Sequence, residues 1–161
     1  MVWNEAHIHL ILNHVPIVGV AFVSLLLTIA LVFRNTFTQK ISLLFLVLIA
    51  AVTAIVYLSG DGASDAVQGL PGVTNAVVNA HESIARIALI ITGFLGALAF
   101  FGLALYWKRD KLPALFVSGV LLVSLVTTGI MVWTGLLGGE IRHTEIRPGA
   151  HVSRPFVPQN R

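Results

Sequence analysis

Four stretches of the chain are almost free of charge: residues 15–33, 41–58, 84–107 and 112–137. Each is close to the roughly 20 apolar residues that carry a helix across hydrocarbon. Lipid offers no partners for backbone amides and carbonyls, so helices are the expected form. The pattern predicts an all-α, integral membrane four-helix up-down bundle. The connections at 34–40 and 108–111 are short, so consecutive runs pair as antiparallel hairpins. Pro113 suits the first turn of the fourth helix, where its missing N–H costs little. Trp3, Trp107 and Trp133 lie near the span ends, where aromatic side chains settle at the membrane–water boundary.

Two of these helices are expected to start before the membrane. Asn4 can cap a helix that runs through Glu5 and His7 into the first span. Thr74, after the Leu70, Pro71, Gly72 turn, can cap one that runs through His81 into the third. Pro16 marks a kink in the first helix or its true start. With these extensions the spans are about 8–33, 41–59, 80–107 and 112–137. They form one domain over 1–149, followed by an extended tail at 150–161.

Composition strengthens the membrane reading. The 161 residues are 57% hydrophobic and 11% charged, where a soluble domain carries about a quarter charged residues. The chain has no Cys, which excludes disulfides, thiolate metal sites and thioether-linked haem. The formal charge of +3 comes without a basic stripe, so nucleic acid is not an expected partner. The N-terminus lacks a basic n-region and a small-residue cleavage site, so the first run is expected to stay in the mature protein.

Charge also orients the bundle. Arg34 and Lys40 flank one short connection, and Lys108, Arg109 and Lys111 fill the other. The long connection at 60–80 has no Lys or Arg. The positive-inside rule puts the short connections in the cytoplasm and both termini outside, against the opposing pull of Arg142, Arg147, Arg154 and Arg161 in the tail. The chemistry is one-sided whichever way the bundle points. His7, His9, His14, His81, His143 and His151 all fall at the end that bears the termini. So do Glu5, Asp61, Asp65, Glu82, Glu140 and Glu145, which leaves Asp110 alone at the other end.

The densest chemistry lies at 134–147, TGLLGGEIRHTEIR. Gly135, Gly138 and Gly139 permit tight turns or close approaches. Glu140, Arg142, His143, Glu145 and Arg147 follow them, so the stretch is expected to close a polar site. Two imidazoles stand at helix entrances. His14 shares a helical face with Val18, Ala21 and Leu25, and His81 with Ala85, Ala88 and Thr92. An imidazole followed by small side chains leaves room for a flat macrocycle and a nitrogen ligand for its iron. The same small residues also serve close helix packing. Arg86, the one strong charge inside a span, needs a partner. Glu82, Asp61, Asp65 and Glu140 are the candidates within the chain, and the alternatives are a ligand carboxylate or phosphate, or snorkelling towards the headgroups. Asp61 and Asp65, in SGDGASD, are four apart and can share one helix face; the stretch does not match a calcium loop, and a solvated loop with a helix cap is the favoured reading. A zinc or copper site built from His7, His14, His81, Glu82 and His143 is a further possibility. No HExxH pattern, catalytic triad or nucleotide loop is present, so an enzyme is not expected.

NHVPIVG near the start, SGDGASD with LPGV ahead of His81–Glu82, and the 134–147 motif together resemble a group of uncharacterised bacterial membrane proteins. That group is similar in having four helices, a His before helix one and a Thr-Gly-x-x-Gly-Gly-Glu exit from helix four. The resemblance covers most of the chain and is most specific in the terminal motif. It implies a multi-pass fold in the bacterial inner membrane and points at His14, His81, Glu82, Glu140, Arg142 and His143. It brings no reaction with it.

The leading expectation is a non-covalent b-type haem (heme b) electron-transfer subunit within a larger membrane complex. His14 and His81 are its expected axial ligands, Arg86, Arg142 and Arg147 its propionate anchors, and the Gly-rich turn with His143 its lid. Other membrane subunits or a periplasmic cytochrome are the expected partners. The two other classes are a His/carboxylate metal-binding membrane protein and a structural accessory subunit without a cofactor.

Overall fold

The computed structural model describes residues 4–147. The tail at 150–161 with His151, Arg154 and Arg161, and also Trp3, lie outside the described residues. The Asn4 side chain accepts the His7 backbone N–H at 3.0 Å and opens α1, Glu5–Leu12. α2, His14–Val32, follows after Asn13. Pro16 has no N–H for the Leu12 carbonyl, so the helical ladder lapses at the α1/α2 junction. Together the two make a single candidate span, Glu5–Val32.

α3 is Thr36–Leu58, and its Asn35 cap accepts the Thr38 N–H at 2.9 Å. α4 is a short helix, Gly60–Val67, followed by α5, Asn75–Tyr106, which the Thr74 side chain caps as its sequence suggests. α6 covers Ala114–Arg142, with Pro113 at the N-cap, one position before the first turn. A 3-10 turn, Thr144–Ile146, ends the described chain. Four helices are long and apolar enough to cross a membrane. α2, α3, α5 and α6 close a ring in which each helix packs on two others, α2 returning to α6. The all-α, up-down four-helix bundle is therefore the observed fold.

The α2–α3 connection is three residues long and ends α2 by a Schellman motif. The Asn35 N–H bonds to the Ala30 carbonyl at 2.9 Å and the Arg34 N–H to Leu31 at 3.2 Å. Arg34 occupies the left-handed position of this motif, with φ 51°, a conformation that costs a residue with a Cβ about 1–2 kcal/mol. Arg34→Gly is expected to raise stability by about 0.5–1 kcal/mol, part of the relief being lost to a freer unfolded chain. Thermal unfolding in detergent checks this, and a lower melting temperature would contradict it. Beside this connection, Lys40 Nζ donates to the carbonyls of Trp107 at 2.7 Å and Arg109 at 2.8 Å. Its ammonium thereby holds the C-terminal end of α5, where positive charge is favoured.

The interior changes character along the bundle axis. Towards the short connections it is mainly apolar, built from Val23, Leu27, Leu43, Leu46, Leu95, Ala99, Val117 and Val120, with Gln39 and Ser42 as buried polar exceptions that donate to the Ala30 and Thr38 carbonyls. Towards the other end Thr53, Thr92, Thr127 and Thr134 are buried, each returning its hydroxyl to the carbonyl four residues earlier. Between them Ser24 Oγ donates to Val20 O at 2.8 Å and meets Ser124 Oγ at 3.0 Å across the α2–α6 seam. Large apolar side chains such as Phe22, Phe94, Phe101 and Leu122 face outward, as they do where the surroundings are lipid.

Candidate functional site

α1 and α4 cap the hydroxyl-lined end. They pack on each other and α1 also touches α3. A Cβ at Gly62 of α4 would come within 2.6 Å of Glu5 Cβ, so only glycine permits this approach. The SGDGASD stretch is thus the N-cap Ser59 and the first turns of helix α4, the helical alternative and not a solvated loop. Asp61 and Asp65 share its exposed side.

The inward face of the first span is set by its buried positions, Pro16, Val20, Val23, Leu27 and Ala30. Extended back at three- and four-residue steps, this stripe passes through Asn13 and His9, not His14. His9 is half-buried, and its Nδ1 lies 3.0 Å from the Val56 carbonyl in the last turn of α3. His14 is exposed, on the face of Val18 (62% exposed), Phe22 and Leu25. The shared helical face read from the sequence is correct, but it looks out of the bundle. His14 therefore does not meet His81 in a common pocket.

His81 does face inward, above the buried Ala88 and Thr92. Its Nδ1 lies 3.1 Å from the Thr134 carbonyl of α6. Its ring lies flush against Gly138, where a Cβ would stand 3.1 Å from His81 Cε1. In the His9 and His81 rings alike Nδ1 faces a carbonyl, which can only accept, so Nδ1 carries the proton. A neutral ring in that tautomer leaves the Nε2 lone pair bare. Anchoring one ring nitrogen to a carbonyl is how proteins orient a histidine that ligates metal through the other. Beside His9 on the same stripe, Asn13 Oδ1 is buried with no hydrogen-bond partner among the described residues.

The terminal motif is built differently from its expected form. Gly135, Gly138 and Gly139 lie within α6 and make no turn. Each receives a neighbour: Ile17 at Gly135, His81 at Gly138 and Ile146 at Gly139. The chain turns only at His143. The His143 ring is exposed and bonds Glu145 Oε1 at 2.8 Å, outside any pocket shared with His81. The Glu145 backbone N–H and this imidazole hold the carboxyl below its usual range. Arg147 Nε donates to Glu140 O at 2.8 Å and a terminal guanidinium nitrogen to Ile141 O at 3.2 Å, so this side chain caps α6. Arg142 is exposed, one turn beyond Gly138 on the same face. Arg86 and Glu82 are both exposed, and no ion pair joins Arg86 to a carboxylate among the described residues. His7 is exposed and its Nδ1 pairs with Asn4 Oδ1. Among the described residues no group of three His, Cys, Asp or Glu side chains gathers as a metal site, so the set His7, His14, His81, Glu82 and His143 is not assembled.

Among the described residues His9 and His81 are therefore the two half-buried imidazoles, of which only His81 is singled out by the sequence. The signal for His9 is the seven-residue stepping back along the buried stripe from Ala30 through Val23 and Pro16. Comparison with protein-family models, curated proteins and solved structures finds no match to this chain.

Proposed function

We propose that the chain is a multi-pass subunit of the bacterial inner membrane that holds a b-type haem at its capped end, with His9 and His81 as axial ligands. The observation that carries this reading is the pair of inward imidazoles, each tethered through Nδ1 to a carbonyl with Nε2 bare. A haem iron asks the protein for two axial ligands, because the porphyrin supplies the other four. A zinc or copper site asks for three or four. When bound, the haem supplies one-electron cycling of its iron. The chain's own residues orient the ligands: Val56 and Thr134 set the ring tautomers, and Gly138 lets His81 approach α6. Arg142 is the cation placed to meet a propionate, since Arg147 is committed to the end of α6. The basic residues of the short connections support termini on the periplasmic side. Electrons would then pass to a neighbouring membrane subunit or a periplasmic cytochrome.

A reduced-minus-oxidised visible spectrum of the purified protein tests the reading. Wild type is expected to show b-type bands, His9→Ala and His81→Ala to lose or shift them, and His14→Ala to keep them. Circular dichroism confirms that each variant is folded. Wild-type bands in both His9→Ala and His81→Ala would overturn the ligand assignment. A spectrum without haem bands would overturn the haem, in favour of zinc or copper if elemental analysis finds them and of an accessory subunit if it does not.

A further inference from the structure

The outside of the capped end carries a second polar feature, on the face of α5 turned away from His81. Asn79, Glu82, Ser83 and Arg86 line an open groove of about 380 Å³. A second groove of about 410 Å³ continues it past Asn79 and Glu82 towards Ser64 and Gln68 of the α4 region. Glu82 and Arg86 are four residues apart, a spacing that readily closes an ion pair on a helix. Both are exposed, and they make no such pair among the described residues. Arg86 also lies within a candidate span, where a guanidinium without a counter-charge is costly. Below it the same face continues as Ile90, Phe94 and Phe101, all exposed and apolar.

We infer that this groove binds the headgroup of a zwitterionic phospholipid, phosphatidylethanolamine, with its phosphate on Arg86 and its ammonium on Glu82. The argument is one of charge order. At 1.5 Å of rise per residue, Arg86 lies about 6 Å deeper than Glu82. In a bilayer leaflet the phosphate likewise lies on the acyl-chain side of the ammonium. The guanidinium fork matches phosphate oxygens, and a carboxylate accepts hydrogen bonds from a primary ammonium. The stripe of Ile90, Phe94 and Phe101 offers a bed for an acyl chain directly beneath. A phosphatidylglycerol headgroup would set no cation against Glu82. A phosphatidylcholine headgroup would bring a cation without N–H donors. This site is independent of any haem, because Glu82 and Arg86 point out of the bundle.

The test is lipid retention. The full-length protein is equilibrated with detergent micelles holding equal amounts of phosphatidylethanolamine, phosphatidylcholine and phosphatidylglycerol, and the lipid it keeps is read by native mass spectrometry. Wild type is expected to enrich phosphatidylethanolamine about three- to fivefold, the scale of one exposed charge pair. Arg86→Gln should lose the enrichment, and Arg86→Lys should recover part of it. Glu82→Gln should abolish the preference over phosphatidylglycerol while phosphate retention persists. Equal or greater retention of phosphatidylglycerol by wild type, no retained lipid, or an unchanged profile in Arg86→Gln would each overturn the assignment.

Discussion

Gly96→Leu is expected to force α3 and α5 apart and to cost about 3 kcal/mol of stability, the upper end for overpacking a close seam. Gly96 is buried in α5 where that helix crosses α3, and a Cβ there would collide with the Ala50 Cβ, with the Leu46 carbonyl at 3.6 Å behind it. Neither obstacle is the free end of a flexible side chain, so the backbones themselves must separate. Helices in lipid gain little from apolar burial and hold together by close packing, so the lost contact is not recovered elsewhere. The smaller change Gly96→Ala should also destabilise, and Ala50→Gly should rescue it with a coupling of about 1–2 kcal/mol. Thermal or denaturant unfolding in detergent reads all three variants. A Gly96→Leu protein as stable as wild type would refute the close α3–α5 approach.

Gly138→Val has a more local target. The new Cβ would stand 3.1 Å from His81 Cε1 and 3.3 Å from Nδ1, with two further methyls to place. The ring must leave the Thr134 carbonyl, losing a hydrogen bond of about 1 kcal/mol net, with strain of about 1–3 kcal/mol in addition. Nitrogen NMR of labelled histidine checks the outcome without reference to any cofactor. Wild-type His81 should be the Nδ1-protonated tautomer, and the variant should lose that preference. If the haem reading is correct, the b-type bands should shift in the same protein. An unchanged His81 tautomer in Gly138→Val would show that the glycine does not position the ring.

Most of the helix plan was legible because it depends on local rules. The length of each apolar run, the caps at Asn4 and Thr74 and the short basic connections require no knowledge of neighbouring helices. For His81 the sequence offered the small residues Ala85, Ala88 and Thr92 on its face, and the burial of Ala88 and Thr92 in the bundle is what turns that face inward. His14 was misread for a reason particular to membranes. In water an apolar stripe marks the core, but in lipid the outside is at least as apolar as the inside. Here the interior of the capped end holds threonines while Val18, Phe22 and Leu25 face out. An apolar face below His14 therefore said nothing about which way it pointed. The expected pairing of Arg86 with a nearby carboxylate failed because helix spacing allows a contact without enforcing it. Of the two uses open to the glycines of 134–147, tight turns or close approaches, the bundle takes the second: each serves an approach by another helix or by the returning chain, which only the folded bundle reveals.

Read alone, the sequence determined a bundle of four apolar helices with its imidazoles and nearly all its carboxylates at one end. Spanning length, capping and charge placement are properties of single segments, and each segment announces them by itself. Only the tertiary structure chose His9 over His14, set His81 against Gly138 and Thr134, and gave Arg147 to the end of α6. Those choices depend on the rotation of each helix about its axis and on which backbone carbonyls a neighbour exposes. Both are settled by packing between helices, where no single segment holds the information.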